Sequence, residues 1–292
     1  MDQPKINPVD SIENLRERVD RFFRGPRSRC ARSVQLPLKL KTTLRNPESV
    51  AQPSKSLAEY LNFMVDAVPD GEVYLFGGLL RDVALLGNRG FNSDVDVVVD
   101  GRWEHIVRYL HSSGATRNKF GGYRVTVAGW PVDIWSASET WAIKHHLVDY
   151  RGIASLTDTT VLNWDAILMN WRTRAFVHRD RYFEQLRGRV LDIVLMGNPN
   201  PLGMATRVFR HLCLKDAKQI TRHAAAYLAE SALKYSFEDI RDAELRSYRQ
   251  SVVDWRVYRL FKQLGLRGNE PCDIKSRYGI ATNILALELD LD

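Results

Sequence analysis

The chain has 292 residues, 45% of them hydrophobic, with 42 Lys and Arg against 35 Asp and Glu and a formal net charge of +7. That is enough for a sizeable core in two domains, or in one domain with an extension. No apolar run approaches about 18 residues, the polar Met1–Pro8 start lacks a signal-peptide pattern, and Cys30, Cys213 and Cys272 are too scattered for a disulfide framework or zinc site. These features predict a soluble protein of the reducing cytoplasm with no membrane partner.

In chain order, Asp10-x-x-Glu13 reads as a capping box, and Ile12, Leu15, Val19 and Phe22 recur at helical spacing. Residues 1–50 hold eleven basic against six acidic residues, so +5 of the net charge sits here. Arg24, Arg27, Arg29, Arg32, Lys39, Lys41 and Arg45 follow one another without an acid. Such a run either attracts phosphate backbones or, with Pro26 and Pro37, forms a solubilising connector. Residues 1–51 are thus expected to form a basic extension with one amphipathic helix.

Ser56-x-x-Glu59 opens a second helix with Leu57, Tyr60, Leu61, Met64 and Val68 on its apolar stripe, and Pro69-Asp70-Gly71 turns into a strand at Val73–Phe76. Gly77-Gly78-Leu79-Leu80-Arg81-Asp82 comes next. Leu79–Leu86 reads as a short helix stopped by Gly87, and Asp94–Val99 as a valine-rich strand. Trp103–Leu110 is a further helix. Tyr123–Val127 and Pro131–Trp135 form a hairpin about a Gly129-Trp130 loop. Lys119-Phe-Gly-Gly-Tyr123 leads into its first strand or offers a second backbone-rich phosphate approach. His145-His146 cannot point the same way from one regular element, and Trp130, Trp135 and Trp141 are expected in the core. From Leu202 the chain reads as helical to its end, with helices at Gln219–Ser231 and Asp254–Leu264.

The glycine pair and the Asp94-Val95-Asp96 triplet carry chemistry in combination. Side chains two apart on a strand face the same way, so Asp94 and Asp96 can share a divalent cation. Magnesium takes one or two protein carboxylates and leaves its other positions to water and substrate phosphates. A glycine turn at a helix N-terminus offers backbone N–H groups to phosphate. Together these supply a triphosphate cradle and a metal site, the requirements of nucleotidyl transfer.

Phe76–Asp82 and Ser93–Val99 resemble, in order and spacing, the head domain of the DNA polymerase β-type nucleotidyltransferase superfamily. The nearest branch is that of bacterial poly(A) polymerases and CCA-adding tRNA nucleotidyltransferases. The resemblance covers residues 72–136, weakens towards 215 and is absent at both ends. It implies an α/β fold, a mixed sheet with flanking helices over 52–200, followed by a helical neck-like or body-like domain over 201–292. It also implies Mg2+, with Mn2+ as the alternative, and an NTP substrate. The third acid of such a site falls at Asp133, which alternates with Val132 and Ile134 and so points away from the aliphatic face. By the same resemblance Asp94, Asp96 and Asp133 are the catalytic and metal-binding residues, and Gly77, Gly78 and Arg81 bind the nucleotide. Asp82 either pairs with Arg81 or braces the turn.

Two family landmarks are degraded. The head-closing Arg-Arg-Asp-Phe-x-x-Asn-Ala segment has Thr159–Ala166 in its place, and the base-templating Glu-Asp-x-x-Arg has Gly203-Met-Ala-Thr-Arg207. The first keeps only its final Ala166 and the second only its arginine, so Arg207 is either a nucleotide contact or structural, and templated CCA synthesis is not expected. An RNA 3′ end of tRNA-like form is the expected acceptor. The alternatives are a protein or small-molecule hydroxyl, as for a toxin or defence enzyme with an antitoxin-like partner, and a non-catalytic RNA-binding relative. Retention of three carboxylates argues against the last.

Overall fold

Valine-rich alternation over residues 95–99 forms the centre of a seven-stranded sheet in the computed structural model, which describes residues 7–24, 56–88, 90–91, 93–118, 120–215, 217–266 and 286–288. The basic run beyond Arg24 lies outside the described residues, as do Cys30 and Cys272.

Two helices precede the sheet: α1 (Ile12–Arg24), which buries Leu15 and Val19, and α2 (Leu57–Asp66). Ser56 caps α2 by accepting the Glu59 N–H at 3.1 Å, a contact worth about 1 kcal/mol. The chain continues through β1 (Glu72–Phe76), α3 (Gly78–Leu86), β2 (Val95–Asp100), α4 (Trp103–Ser112), β3 (Thr116–Arg117), β4 (Tyr123–Val127) and β5 (Trp130–Ser136). Two strands that the sequence reading missed, β6 (Ile167–Asn170) and β7 (Phe176–His178), complete the order β3-β4-β5-β2-β1-β6-β7. β1 pairs antiparallel with β2 and β6, whereas β2 and β5 run parallel. This is the expected mixed sheet.

Val95, Val97 and Val99 are buried on one face of β2, and Val98 on the other, so only the early part of the second face is left to Asp94 and Asp96. The indole of Trp171 donates to Asn62 Oδ1 at 2.7 Å and ties α2 to the chain after β6. Trp130 packs against Phe22 and Phe91, and Trp135 against Phe76, but Trp130, Trp135 and Trp141 are all only half-buried, so the expectation that they belong to the core needs correcting.

The chain divides into two compact units, neither contiguous: Glu13–Thr140 with Leu168–Phe176, and Trp141–Ile167 with the residues from Val177 onward and those up to Ile12. The second unit contains α5 (Trp141–Lys144), α6 (Tyr182–Arg187), β8 (Val190–Leu191), α7 (Pro201–Leu214), β9 (Gln219–Thr221), α8 (Arg222–Lys234), α9 (Phe237–Tyr248), α10 (Trp255–Leu266) and β10 (Ala286–Glu288). Phe209, Tyr258 and Phe261 form its aromatic centre, with Phe209 5.8 and 5.7 Å from the other two ring centroids.

The expectation of uninterrupted helix after Leu202 needs correcting. Gln219-Ile220-Thr221 is a strand, hydrogen-bonded between β8 and β10. Ile220 is β-branched and fully buried there. Helix α8 starts only at Arg222, where the Thr221 hydroxyl accepts the Ala224 N–H at 3.1 Å. Among the described residues, no helix is long and apolar enough to cross a membrane.

Candidate active site

Helix α3 begins where β1 ends, and a glycine makes the junction. Gly77 caps it with φ 60° and ψ −108°, a conformation costly for any residue with a Cβ. The Arg81 N–H reaches back to the Gly77 carbonyl at 2.9 Å. The first N–H groups of a helix have no intrahelical acceptor, and together with the macrodipole they favour an anion there. At Gly78 a Cβ would stand 3.7 Å from Arg81 Nη2 and 3.9 Å from Asp96 Oδ2. Bare backbone, a guanidinium and a carboxylate thus surround one point. Arg81 is buried and donates from Nε to Asp82 Oδ1 at 2.8 Å, while Asp82 has no exposed surface. Of the two roles left open for Asp82, pairing with Arg81 is observed. The helix ends on Gly87, as expected, with its N–H on the Val83 carbonyl.

The acids meet through strand register. In the parallel β2–β5 ladder Asp96 lies opposite Asp133, and Asp94 precedes Asp96 on the same face. In the antiparallel β4–β5 ladder Asp133 faces Arg124. Arg124 Nε donates to Asp133 Oδ1 at 2.8 Å, and its Nη2 donates to Asp133 Oδ2 at 2.5 Å and Asp94 Oδ2 at 2.6 Å. Burial pushes the Asp94 carboxyl up from its ordinary value; Arg124 opposes the shift and Asp133 reinforces it. Hydrogen bonds to Asp133 hold the Arg124 guanidinium above its own ordinary value.

Asp94, Asp96 and Asp133 therefore share one sheet face beside the glycine turn, and two of them already converge on a cation. Among the described residues no three His, Cys, Asp or Glu side chains are drawn together tightly enough to hold an ion. As an all-oxygen carboxylate set the trio nevertheless suits a hard divalent cation.

Arg124 was missed because the hairpin loop is Ala128-Gly129, with φ of 50° and 87°, and not Gly129-Trp130. Both left-handed residues fit the two-residue turn that matches strand twist. The observed register pairs Val127 with Trp130 and so sets Arg124 against Asp133, whereas the expected loop would set it against Trp135. The segment before β4 is a turn: Asn118 Oδ1 accepts the Phe120 and Gly122 N–H groups at 3.0 and 3.1 Å. Those two groups are thereby used internally and not offered to phosphate.

In the second unit, Arg207 Nη2 donates to the buried Asp165 carboxylate at 2.8 Å. Met204 is buried and Gly203 gives its N–H to the Asn200 side chain at 3.0 Å. The two positions aligned with the family's acid pair thus present no polar side chain.

No protein-family model and no curated protein sequence matches the chain. Solved structures do. A Thermotoga maritima CCA-adding enzyme complexed with tRNA is 16% identical over 70% of this chain and 50% of its own, with a TM-score of 0.53. A tRNA-processing enzyme in an apo form is 14% identical over 76% and 59%, at 0.51. A tRNA nucleotidyltransferase complexed with a primer tRNA and an incoming ATP analogue is 14% identical over 70% and 61%, at 0.50. The chain therefore spans about half to three-fifths of the length of these proteins. The shared feature is the fold: a mixed sheet with flanking helices, followed by further helices.

Proposed function

We propose that this protein is a divalent-metal-dependent nucleotidyltransferase that moves a nucleoside monophosphate from an NTP to a hydroxyl, most naturally an RNA 3′ end of tRNA-like form, without templated CCA synthesis. The observation that carries this reading is the gathering of Asp94, Asp96 and Asp133 on one sheet face beside the Gly77-Gly78 turn. The structural neighbours, which include CCA-adding and tRNA-processing enzymes, support it.

Asp94, Asp96 and Asp133 would hold Mg2+, or Mn2+ in its place, and that ion would supply charge neutralisation for the triphosphate and the departing pyrophosphate. The N–H groups at the start of α3 donate to phosphate oxygens, with Arg81, its charge offset by Asp82, beside the turn. The acceptor hydroxyl gives up its proton to water and forms a bond to the α-phosphorus as the bond to pyrophosphate breaks in line. The catalytic head would correspond to the unit that carries the acids, Glu13–Thr140 with Leu168–Phe176, in place of the expected 52–200, and the setting is cytoplasmic.

The buried Met204 and the side-chain-free Gly203 favour a second reading, transfer to a protein or small-molecule hydroxyl, for which no base template is needed. Incubating the protein with each labelled NTP, Mg2+, total cellular RNA and lysate separates the two. Label in RNA supports the first, label confined to protein or small molecules supports the second, and no label with any NTP overturns both. Sequencing the 3′ ends of tRNA lacking CCA should show one kind of nucleotide or a loose preference. Accurate CCA completion would show that the template residues lie elsewhere than Gly203–Arg207.

A further inference from the structure

Arg124 belongs to neither the glycine turn nor the carboxylate set, yet it makes three hydrogen bonds to two of the three acids. Its fork closes on both oxygens of Asp133 and also takes Asp94 Oδ2, so the guanidinium fills the space where those carboxylates converge. An arginine cannot give up its charge by deprotonation in a protein. A divalent ion that takes the same oxygens therefore meets a fixed positive charge a few ångströms away, and the two repel strongly at such separations. The arginine can leave: its side chain is about half exposed, and it stands on β4, which only the two-residue strand β3 separates from the edge of the sheet.

We infer that Arg124 is a built-in counter-ion of the metal site. It holds Asp94 and Asp133 together in the metal-free protein and releases them when a divalent cation binds, so that it sets how tightly the ion is held. This inference rests on the metal-dependent reading above, but ion binding tests it without any nucleotide transfer.

The experiment titrates the full-length protein with Mn2+ alone, following free Mn2+ by electron paramagnetic resonance, in wild type, Arg124→Gln and Arg124→Lys. Arg124→Gln removes the competing charge and should bind Mn2+ about tenfold more tightly or better. Arg124→Lys keeps the charge and should stay near wild type. Mn2+ should also raise the thermal midpoint of Arg124→Gln by more than that of wild type. Equal or weaker binding by Arg124→Gln, equal tightening by Arg124→Lys, or no binding by any of the three overturns the inference. Label transfer by wild type, measured separately at saturating metal, then shows whether the functional reading survives that failure.

Discussion

Arg210 and Arg124 each clasp a carboxylate, but with very different surroundings. Arg210 donates to Glu244 at a site where the two side chains are 13% and 0% exposed. The remaining capacity of Glu244 is filled by the backbone: the Val252 N–H lies 3.0 Å from both carboxylate oxygens and the Val253 N–H 3.1 Å from one. Arg210 also stacks 4.3 Å above the Tyr248 ring. That pair is closed on every side and joins α7 and α9 to the segment that follows. At the other site Arg124, Asp94 and Asp133 are 49%, 40% and 17% exposed. Among the described residues, only the arginine donates to those two acids. Carboxylates with a full set of backbone donors serve the fold, whereas carboxylates held by one movable side chain remain available to another cation.

Breaking the closed pair should have the largest effect on stability. Glu244→Ala strands a mostly buried guanidinium and removes the acceptor of two backbone N–H groups, at a cost of about 3–5 kcal/mol. Urea denaturation should show this, and a loss below 1 kcal/mol would erase the contrast between the two sites. Arg124→Gln, by the same measurement without metal, should cost about 1–2 kcal/mol, because Arg124 and Asp94 are half exposed although Asp133 is mostly covered. A larger loss would make Arg124 a structural residue like Arg210.

The smallest effect is a pH dependence. The Asp94 carboxyl is raised, mainly by burial, so the folded state holds its proton more tightly than the unfolded chain does. The penalty for its charge is complete above the raised value and absent below the ordinary value of 3.8, where both states are protonated. Asp94→Asn should therefore slightly stabilise the metal-free protein at pH 7, with a gain that shrinks on acidification. A gain that is constant or grows as the pH falls from 7 to 4 contradicts this sign.

Much of the acid face could be read from residue alternation, because period 2 places Asp94 with Asp96 and sends Asp133 away from Val132 and Ile134. The Gly77 junction was equally local: a strand, a residue with positive φ, and a helix. Arg124 was hidden by a single-residue shift of the hairpin loop, since Ala128 was not read as left-handed. Non-local pairing hid the rest. The three residues of β9 carry no strand signal strong enough to interrupt a helical reading, and they become a strand only because β8 and β10 flank them. Glu244 was not singled out in the sequence, because its role depends on the backbone at Val252 and Val253 coming round to cap it.

The claim that the acids beside Gly77-Gly78 carry out nucleotidyl transfer is tested most directly by label transfer from an NTP in Mg2+, comparing wild type with an Asp94→Asn, Asp96→Asn double variant whose fold is verified by circular dichroism. Removing two ligands of the charge-stabilising site should lower turnover by roughly 10²–10³-fold or more, with the folded structure kept. Near-wild-type turnover in a well-folded double variant would contradict the account.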